Sequence, residues 1–155
     1  MTSLRLTDED VYRKYGDDLV RFAMGLVGRD DAADVVSEAT LRVFASPSWR
    51  GVADQRAYLY RAVVHQAANT HRERQRRWRR ELKAAGDGVV ELPEYRPEVL
   101  AAVRRLSVRQ RAVVVLAYWE QLTAGEIAGQ LGISEGSVRR HLARARSKLR
   151  GVLDE

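Results

Sequence analysis

Residues 122–138 run Leu-Thr-Ala-Gly-Glu-Ile-Ala-Gly-Gln-Leu-Gly-Ile-Ser-Glu-Gly-Ser-Val and read as two short helices joined by a tight turn. An arginine-laden helix comes directly after them. Thr123 and Glu126 have capping-box spacing, so hydroxyl and carboxylate can each satisfy the other's backbone N–H. Leu122 and Ile127 are placed to close a hydrophobic staple around that cap. Ile127, Ala128 and Leu131 form one apolar stripe, and Ala128 is small enough to let a second helix approach. Gly132 can take the left-handed conformation that ends a helix, Ile133 plugs the turn, and Ser134 can cap the next helix. Val138, Leu142, Ala145 and Leu149 then recur on one buried face, with Arg139, Arg140, Arg144, Arg146, Lys148 and Arg150 mainly off it. A lone basic helix would be read as a solvated face. Here two caps and a Gly turn precede the arginines in register, the pattern of a helix-turn-helix that reads duplex DNA in the major groove.

The rest of the chain narrows the setting. A net charge of +6 and a pI of about 10.0 over 155 residues call for an anionic partner, the more so because the arginines are clustered. The absence of cysteine excludes disulfides and cysteine-based zinc sites. No apolar run approaches the length of a membrane span, and Thr7-Asp8-Glu9-Asp10 is unlike a secretion signal, so a cytoplasmic protein without membrane insertion is expected. Strand signals are nearly absent. Val113-Val114-Val115 is β-branched, but it lies after Ser107-x-x-Gln110, another capping-box spacing, and reads as a buried helix. The one substantial loop signal starts at Ala85-Gly86-Asp87-Gly88 and continues to Pro93 and Pro97. The expected architecture is therefore all-α: two small helical domains, residues 1–82 and 98–155, joined by a linker over 83–97.

In the first half, Val11 to Val27 has helical spacing, with Tyr12, Tyr15, Leu19, Phe22, Ala23 and Leu26 near one face and Gly28 as a stop. Asp30 to Ala45 forms a second helix. Its stripe is Ala32, Val35, Val36, Ala39 and Val43, and Asp34 and Glu38 lie one turn apart on a polar side. As a catalytic or metal pair these acids lack a histidine or third carboxylate, and by pattern alone they are a solvated face. A third helix begins near Gln55 and leads into His71-Arg72-Glu73-Arg74-Gln75-Arg76-Arg77-Trp78-Arg79-Arg80, whose six arginines are a phosphate-binding footprint. Trp49, Tyr58, Tyr60 and Trp78 lie nearby. Arginines interleaved with aromatics suit single-stranded nucleic acid, although at least half of these rings are expected to pack rather than stack on bases.

Two basic helical units, one suited to single strands and one to duplex, resemble a bacterial sigma factor of the extracytoplasmic-function group. The resemblance covers nearly the whole chain. Asp31-Ala32-Ala33-Asp34-Val35-Val36-Ser37-Glu38-Ala39 is similar to that family's D-A-E-D-L-V-Q-E-A/T helix, and Ala57-Tyr58-Leu59-Tyr60-Arg61-Ala62-Val63 to its A-W-L-Y-R-I-A stretch. Leu122 to Arg146 is similar to its L-S-x-x-E-I-A-x-x-L-G-I-S-x-G-T-V-x-S-R-L-x-R-A-R. The resemblance implies that Asp34 and Glu38 meet the β′ clamp helices of core RNA polymerase. It implies that Arg50, Tyr58, Arg61 and Asn69 melt the −10 element and capture a non-template base, while Arg72, Arg76 and Arg77 hold the single strand. Ser137, Arg139, Arg140, Ala143 and Arg144 would meet the −35 duplex. The implied partners are core polymerase, including its β flap, promoter DNA and an anti-sigma factor. No cofactor, metal or catalytic residue is implied.

Four positions depart from the family pattern. His65 stands where asparagine is usual, Arg140-His141 replaces a common Ser-Arg pair, and Ala117 falls where a phosphate-contacting arginine is frequent. Two other classes remain to be separated. A helix-turn-helix regulator with a sensing or dimerising first half explains the C-terminal motif equally well, but not the arginine run beside the Asp34/Glu38 helix. A nucleic-acid enzyme would need a constellation that the scattered His65, His71 and His141 do not supply.

Overall fold

A computed structural model describes residues 6–85, 102 and 105–153. Helix α1 (Asp8–Val27) opens at a Thr7–Asp10 capping box, so it begins three residues before the apolar spacing that predicts it. Asp10 accepts the Thr7 N–H at 3.2 Å, and the Thr7 hydroxyl accepts the Asp10 N–H at 3.1 Å. Hydrogen bonding by Thr7, its side chain first and then its backbone, holds the Asp10 carboxyl below its ordinary value. Gly28, at φ +88°, breaks the chain direction, and α2 (Arg29–Ala45) starts directly after it. Its inner face carries Ala32, Val35, Val36, Ala39, Thr40 and Val43. The buried Thr40 hydroxyl donates to Val36 O at 2.8 Å, so burying it strands no polar atom.

A 3-10 turn (Pro47–Gly51) buries Trp49, whose indole N–H donates to Asp8 Oδ1 at 3.0 Å and pins the turn to the start of α1. Asp54 then caps α3 (Gln55–Ala85) through the Ala57 N–H at 3.0 Å. The first three residues expected in a linker, 83–85, continue this helix; residues 86–97 lie outside the described residues.

Helix α4 (Val108–Val114) opens at the expected Ser107–Gln110 capping box. The Val113-Val114-Val115 run is helical, but the helix does not end simply. It widens into a π turn (Val115–Trp119), with the Glu120 N–H reaching Val115 O at 3.2 Å. Gln121 takes φ +54° immediately before α5 (Ala124–Leu131). Thr123 and Glu126 form their box, Gly132 adopts φ +67°, and the Ser134 hydroxyl accepts the Ser137 N–H at 3.0 Å to start α6 (Glu135–Leu153). The helix-turn-helix expected from the sequence is thus built from the caps that predict it.

Helices α1, α2 and α3 pack on one another, and α6 packs on both α4 and α5. The two sets also share one core. Leu19, Phe22, Leu26, Tyr60 and Val63 join Val113, Leu116, Ile127 and Val138 in a single buried cluster. Helix α3 lies against α4 and α5, and α1 against α4. The approach of α1 to the π turn is close enough that a Cβ on Gly25 would sit 2.6 Å from Val115 Cγ2.

Candidate nucleic-acid and polymerase surfaces

The outer face of α2 is set by its inner one. Because Val35, Val36 and Ala39 turn inward, Asp34 and Glu38 are left exposed one turn apart. Glu38 also accepts the Gln66 amide N–H from α3 at 2.6 Å, a tie that helical spacing cannot reveal. Further along the α2–α3 seam lies a pocket of about 330 Å³ lined by Arg42, Ser46, Tyr58, Arg61, His65 and Gln66, among others. Two residues expected at the −10 element, Tyr58 and Arg61, meet in its wall. Arg50 stands exposed on the 3-10 turn, and Asn69, Arg72, Arg76 and Arg77 lie farther along α3, outside the lining. Asn69 accepts a bond from Arg72.

The four aromatics divide by whether the core reaches them. Trp49 and Tyr60 are core residues; Tyr60 meets Phe22 at a ring-centroid distance of 4.8 Å. Burial, and then the nearby Glu120 carboxylate, push the Tyr60 phenol up to about 12. Tyr58 is half-buried, its ring 5.8 Å from Trp49, with one side toward the pocket. Trp78 is exposed among the arginines of residues 72–80, which are themselves exposed. Arg74 ion-pairs with Asp31 and so fastens this stretch to the start of α2.

On α6, Val138 and Ala145 are buried, Leu142 and Leu149 partly so, and the basic residues face out. Arg139, Arg140, Ala143 and Arg144 are exposed. Arg139 pairs with Glu135 at 2.6 Å, and Arg140 donates to Ser137 Oγ at 3.1 Å, so both side chains are held along the helix. Ser137, half-buried, also accepts from the Ser134 hydroxyl at 3.0 Å.

Residues 11–77 match the family model for sigma-70 region 2, and residues 96–149 the model for sigma-70 region 4. An RNA polymerase sigma-E factor of Streptomyces antibioticus is 35% identical over 161 residues, covering 94% of this chain and 84% of that protein. The ECF RNA polymerase sigma factor SigM of Mycobacterium tuberculosis is 30% identical over 158 residues, covering 96% and 78%. The chain is an extracytoplasmic-function sigma factor of the sigma-70 family. As such it directs RNA polymerase to promoters.

Two solved relatives share its fold. The sigma factor RpoE of Bartonella quintana, solved with the anti-sigma factor NepR, superposes with a TM-score of 0.62 at 19% identity, covering 94% of this chain and 98% of that one. CnrH, solved with the cytosolic domain of CnrY, gives 0.60 at 25% identity, with 95% and 87% covered.

Within this sigma factor the departures from the family pattern have distinct settings. His65 is exposed at the mouth of the α2–α3 pocket. Ala117 is half-buried in the π turn and packs on the core. His141 is half-buried; its ring is held below the ordinary value by burial first and then by Arg109, Arg144 and Arg140, so it stays neutral near pH 7. Among the described residues no group of histidine and acidic side chains is arranged to hold a metal, and no helix is long and apolar enough to cross a membrane.

Sequence reasoning missed the residues that join the two helical sets. Arg61 crosses to the end of α5, donating from Nη2 to Gly129 O at 2.7 Å and from Nε to Gln130 O at 3.1 Å. Glu120, at the end of the π turn, faces Arg56 at 3.5 Å and Tyr60 at 3.4 Å. Arg111, buried in α4, donates to Leu26 O at the end of α1. A signal for Arg111 is its place directly before the apolar Ala112-Val113-Val114 run, since an arginine is rarely buried without a partner. Nothing local marks Arg61 or Glu120.

Proposed function

We propose that this sigma factor engages core RNA polymerase through Asp34 and Glu38 on the β′ clamp helices, and that its two halves then act on different parts of a promoter. Residues 1–82 form the unit that binds core and the −10 element, residues 98–155 the unit that binds the −35 element and meets the β flap, and 83–97 the linker between them. Tyr58 and Arg61, with Arg50 and Asn69 nearby, receive a non-template base. Arg72, Arg76 and Arg77 hold the strand, whose phosphates are neutralised at the cost of bound counterions. Ser137, Arg139, Arg140, Ala143 and Arg144 read the upstream duplex. The chain makes and breaks no covalent bond; its contribution is binding energy spent on sequence choice and strand opening, in the cytoplasm, and an anti-sigma factor is its natural antagonist.

The observation that carries this reading is the outward display of both surfaces on one chain. The acid pair on α2 is exposed behind a buried face of alanine and valine with Thr40, and the arginines of α6 are exposed behind the face that buries Val138 and Ala145. Mixing the protein with core polymerase should yield promoter-specific transcripts. Asp34→Arg should weaken binding to core at least tenfold while leaving the circular dichroism spectrum and duplex binding by the free protein intact. An unchanged affinity for core would remove Asp34 from the interface, and a chain that binds duplex but never core would be a regulator instead.

A further inference from the structure

A second pocket, of about 440 Å³, opens beside the π turn. Its volume lies within the range of small-molecule sites. Buried Leu106 and half-buried Val115 and Leu149 give it an apolar wall. Tyr118 and Trp119 stand at its edge, and Trp119 is 86% exposed. Both rings are carried by the widened turn that follows α4, and such π turns are frequent at functional sites. A lone hydrophobic residue on a surface needs no explanation, but one that continues an apolar pocket enlarges a contiguous apolar patch.

The charged groups in this wall are of one sign. Arg146 and Arg150 line it from α6 and buried Arg111 from α4, and no aspartate or glutamate lines it. Elsewhere Arg13, Arg21, Arg56, Arg74 and Arg139 each meet a carboxylate, but among the described residues Arg146 and Arg150 meet none. Arg146 is nonetheless held in place. Its Nε donates to the Tyr118 hydroxyl at 2.7 Å, and its guanidinium carbon lies 5.7 Å from the Tyr118 ring centroid. The fork is thus fixed at its near end with its Nη groups left to bind, a donor set that suits a carboxylate. An uncharged guest would cover two cations without a counter-charge. A small inorganic anion would leave the apolar wall in water. We propose that the pocket binds a small amphipathic monocarboxylate, with its head on Arg146 and Arg150 and its apolar chain against Leu106, Val115, Leu149 and the face of Trp119. The volume makes the guest a small molecule rather than a helix of a partner protein. The site is separate from the acid pair of α2 and from the pocket of Tyr58 and Arg61, so it does not depend on the promoter reading.

Octanoate is the probe, titrated into the full chain at neutral pH by calorimetry. It should bind at least tenfold more tightly than octanol, which keeps the chain without the charge, and than acetate, which keeps the charge without the chain. It should also move tryptophan emission to the blue, and the Trp119→Phe variant should lose that shift. Arg146→Gln/Arg150→Gln should weaken octanoate at least tenfold and bring it level with octanol, whose own affinity should change by less than twofold. Arg79→Gln/Arg80→Gln removes the same charge from exposed positions outside the pocket and should leave octanoate binding within twofold of wild type. Circular dichroism checks that each variant is folded, and the ranking of octanoate, octanol and acetate on wild type decides the matter without any variant. The proposal is overturned if octanoate fails to bind at millimolar concentration or binds no better than octanol and acetate. Equal losses in the two double variants would also overturn it, by making the binding a response to net charge. So would an acidic helical peptide that occupies the pocket where octanoate does not, which would give these arginines to a protein partner.

Discussion

On α6, Arg139 and Arg140 bond to Glu135 and Ser137 on their own helix, and with Arg144 they remain exposed. On α3, Arg61 leaves its own helix altogether and ends on the carbonyls of Gly129 and Gln130, while Arg56 faces Glu120. Both helices are basic and amphipathic, and by pattern either could be a nucleic-acid reader. The difference lies in what stands opposite. The outer face of α6 is open, whereas the middle of α3 is covered by the end of α5. The arginines of α6 face solvent, whereas Arg61 and Arg56 are bonded to the second helical set, so an arginine's setting must be judged against the other half of the chain as well as against its own helix.

The largest effect should come from the residue on which the covered side is built. Tyr60→Ala removes a fully buried ring between Phe22 and Glu120 and should cost about 3–5 kcal/mol in urea unfolding of the full chain, the range for deleting a large core aromatic. Tyr60→Phe keeps the ring and should stay within about 1 kcal/mol of wild type. A loss below about 1 kcal/mol for the alanine variant would mean that the cover over α3 is not part of the core.

On the open side, Arg140→Ala should weaken binding to the preferred −35 duplex by about 1–3 kcal/mol, the size of one good base contact, and relax preference at one position. Equal losses on every duplex in a competition assay would make Arg140 a phosphate contact instead. A smaller change is expected in the stretch that neither half covers. Arg76→Ala should reduce the slope of log affinity against log salt for single-stranded DNA by about 0.7, one phosphate contact on a single strand. An unaltered slope would place Arg76 away from the strand.

The smallest effect is one of pH, and it samples both sides. His71 on α3 is lowered by burial and then by Arg111, His141 on α6 by burial and then by its arginine neighbours. As pH falls through the ordinary histidine value of 6.5, the unfolded chain takes up protons before the folded one does. Stability is therefore full above that pH and declines below it, toward the lowered folded values. Thermal unfolding between about pH 7.5 and 5.5 should show this decline, and His71→Gln and His141→Gln should each flatten it. A midpoint equally pH-dependent in both variants would assign the decline to other groups.

What could be read in advance was whatever is decided within one turn of helix. Ser107–Gln110, Thr123–Glu126 and Gly132 are short-range signals, and each appears where its spacing puts it. The start of α1 was missed because its box closes with aspartate rather than the usual glutamate or glutamine. Trp49 and Tyr60 could not be told from base-stacking rings, since an aromatic at helical spacing looks the same whether it meets Phe22 or a nucleotide. The π turn after Val114 left no trace in the run of valines. The contacts of Arg61 and Arg56 span more than sixty positions, and a basic residue's neighbours in sequence say which face it occupies, not what will be brought against that face.

The caps have a bearing on how the protein can change partners. Helices α1, α4 and α5 each begin at a hydroxyl that closes the first turn within four residues, α3 begins at Asp54 and α6 at Ser134. None of these starts borrows a donor or acceptor from the other half. Separating the halves therefore strips apolar surface and a few side-chain bonds but leaves no helix start to unravel. Each rod is thus fixed at its start by its own first turn, and what joins the two sets is the shared core and its few side-chain ties.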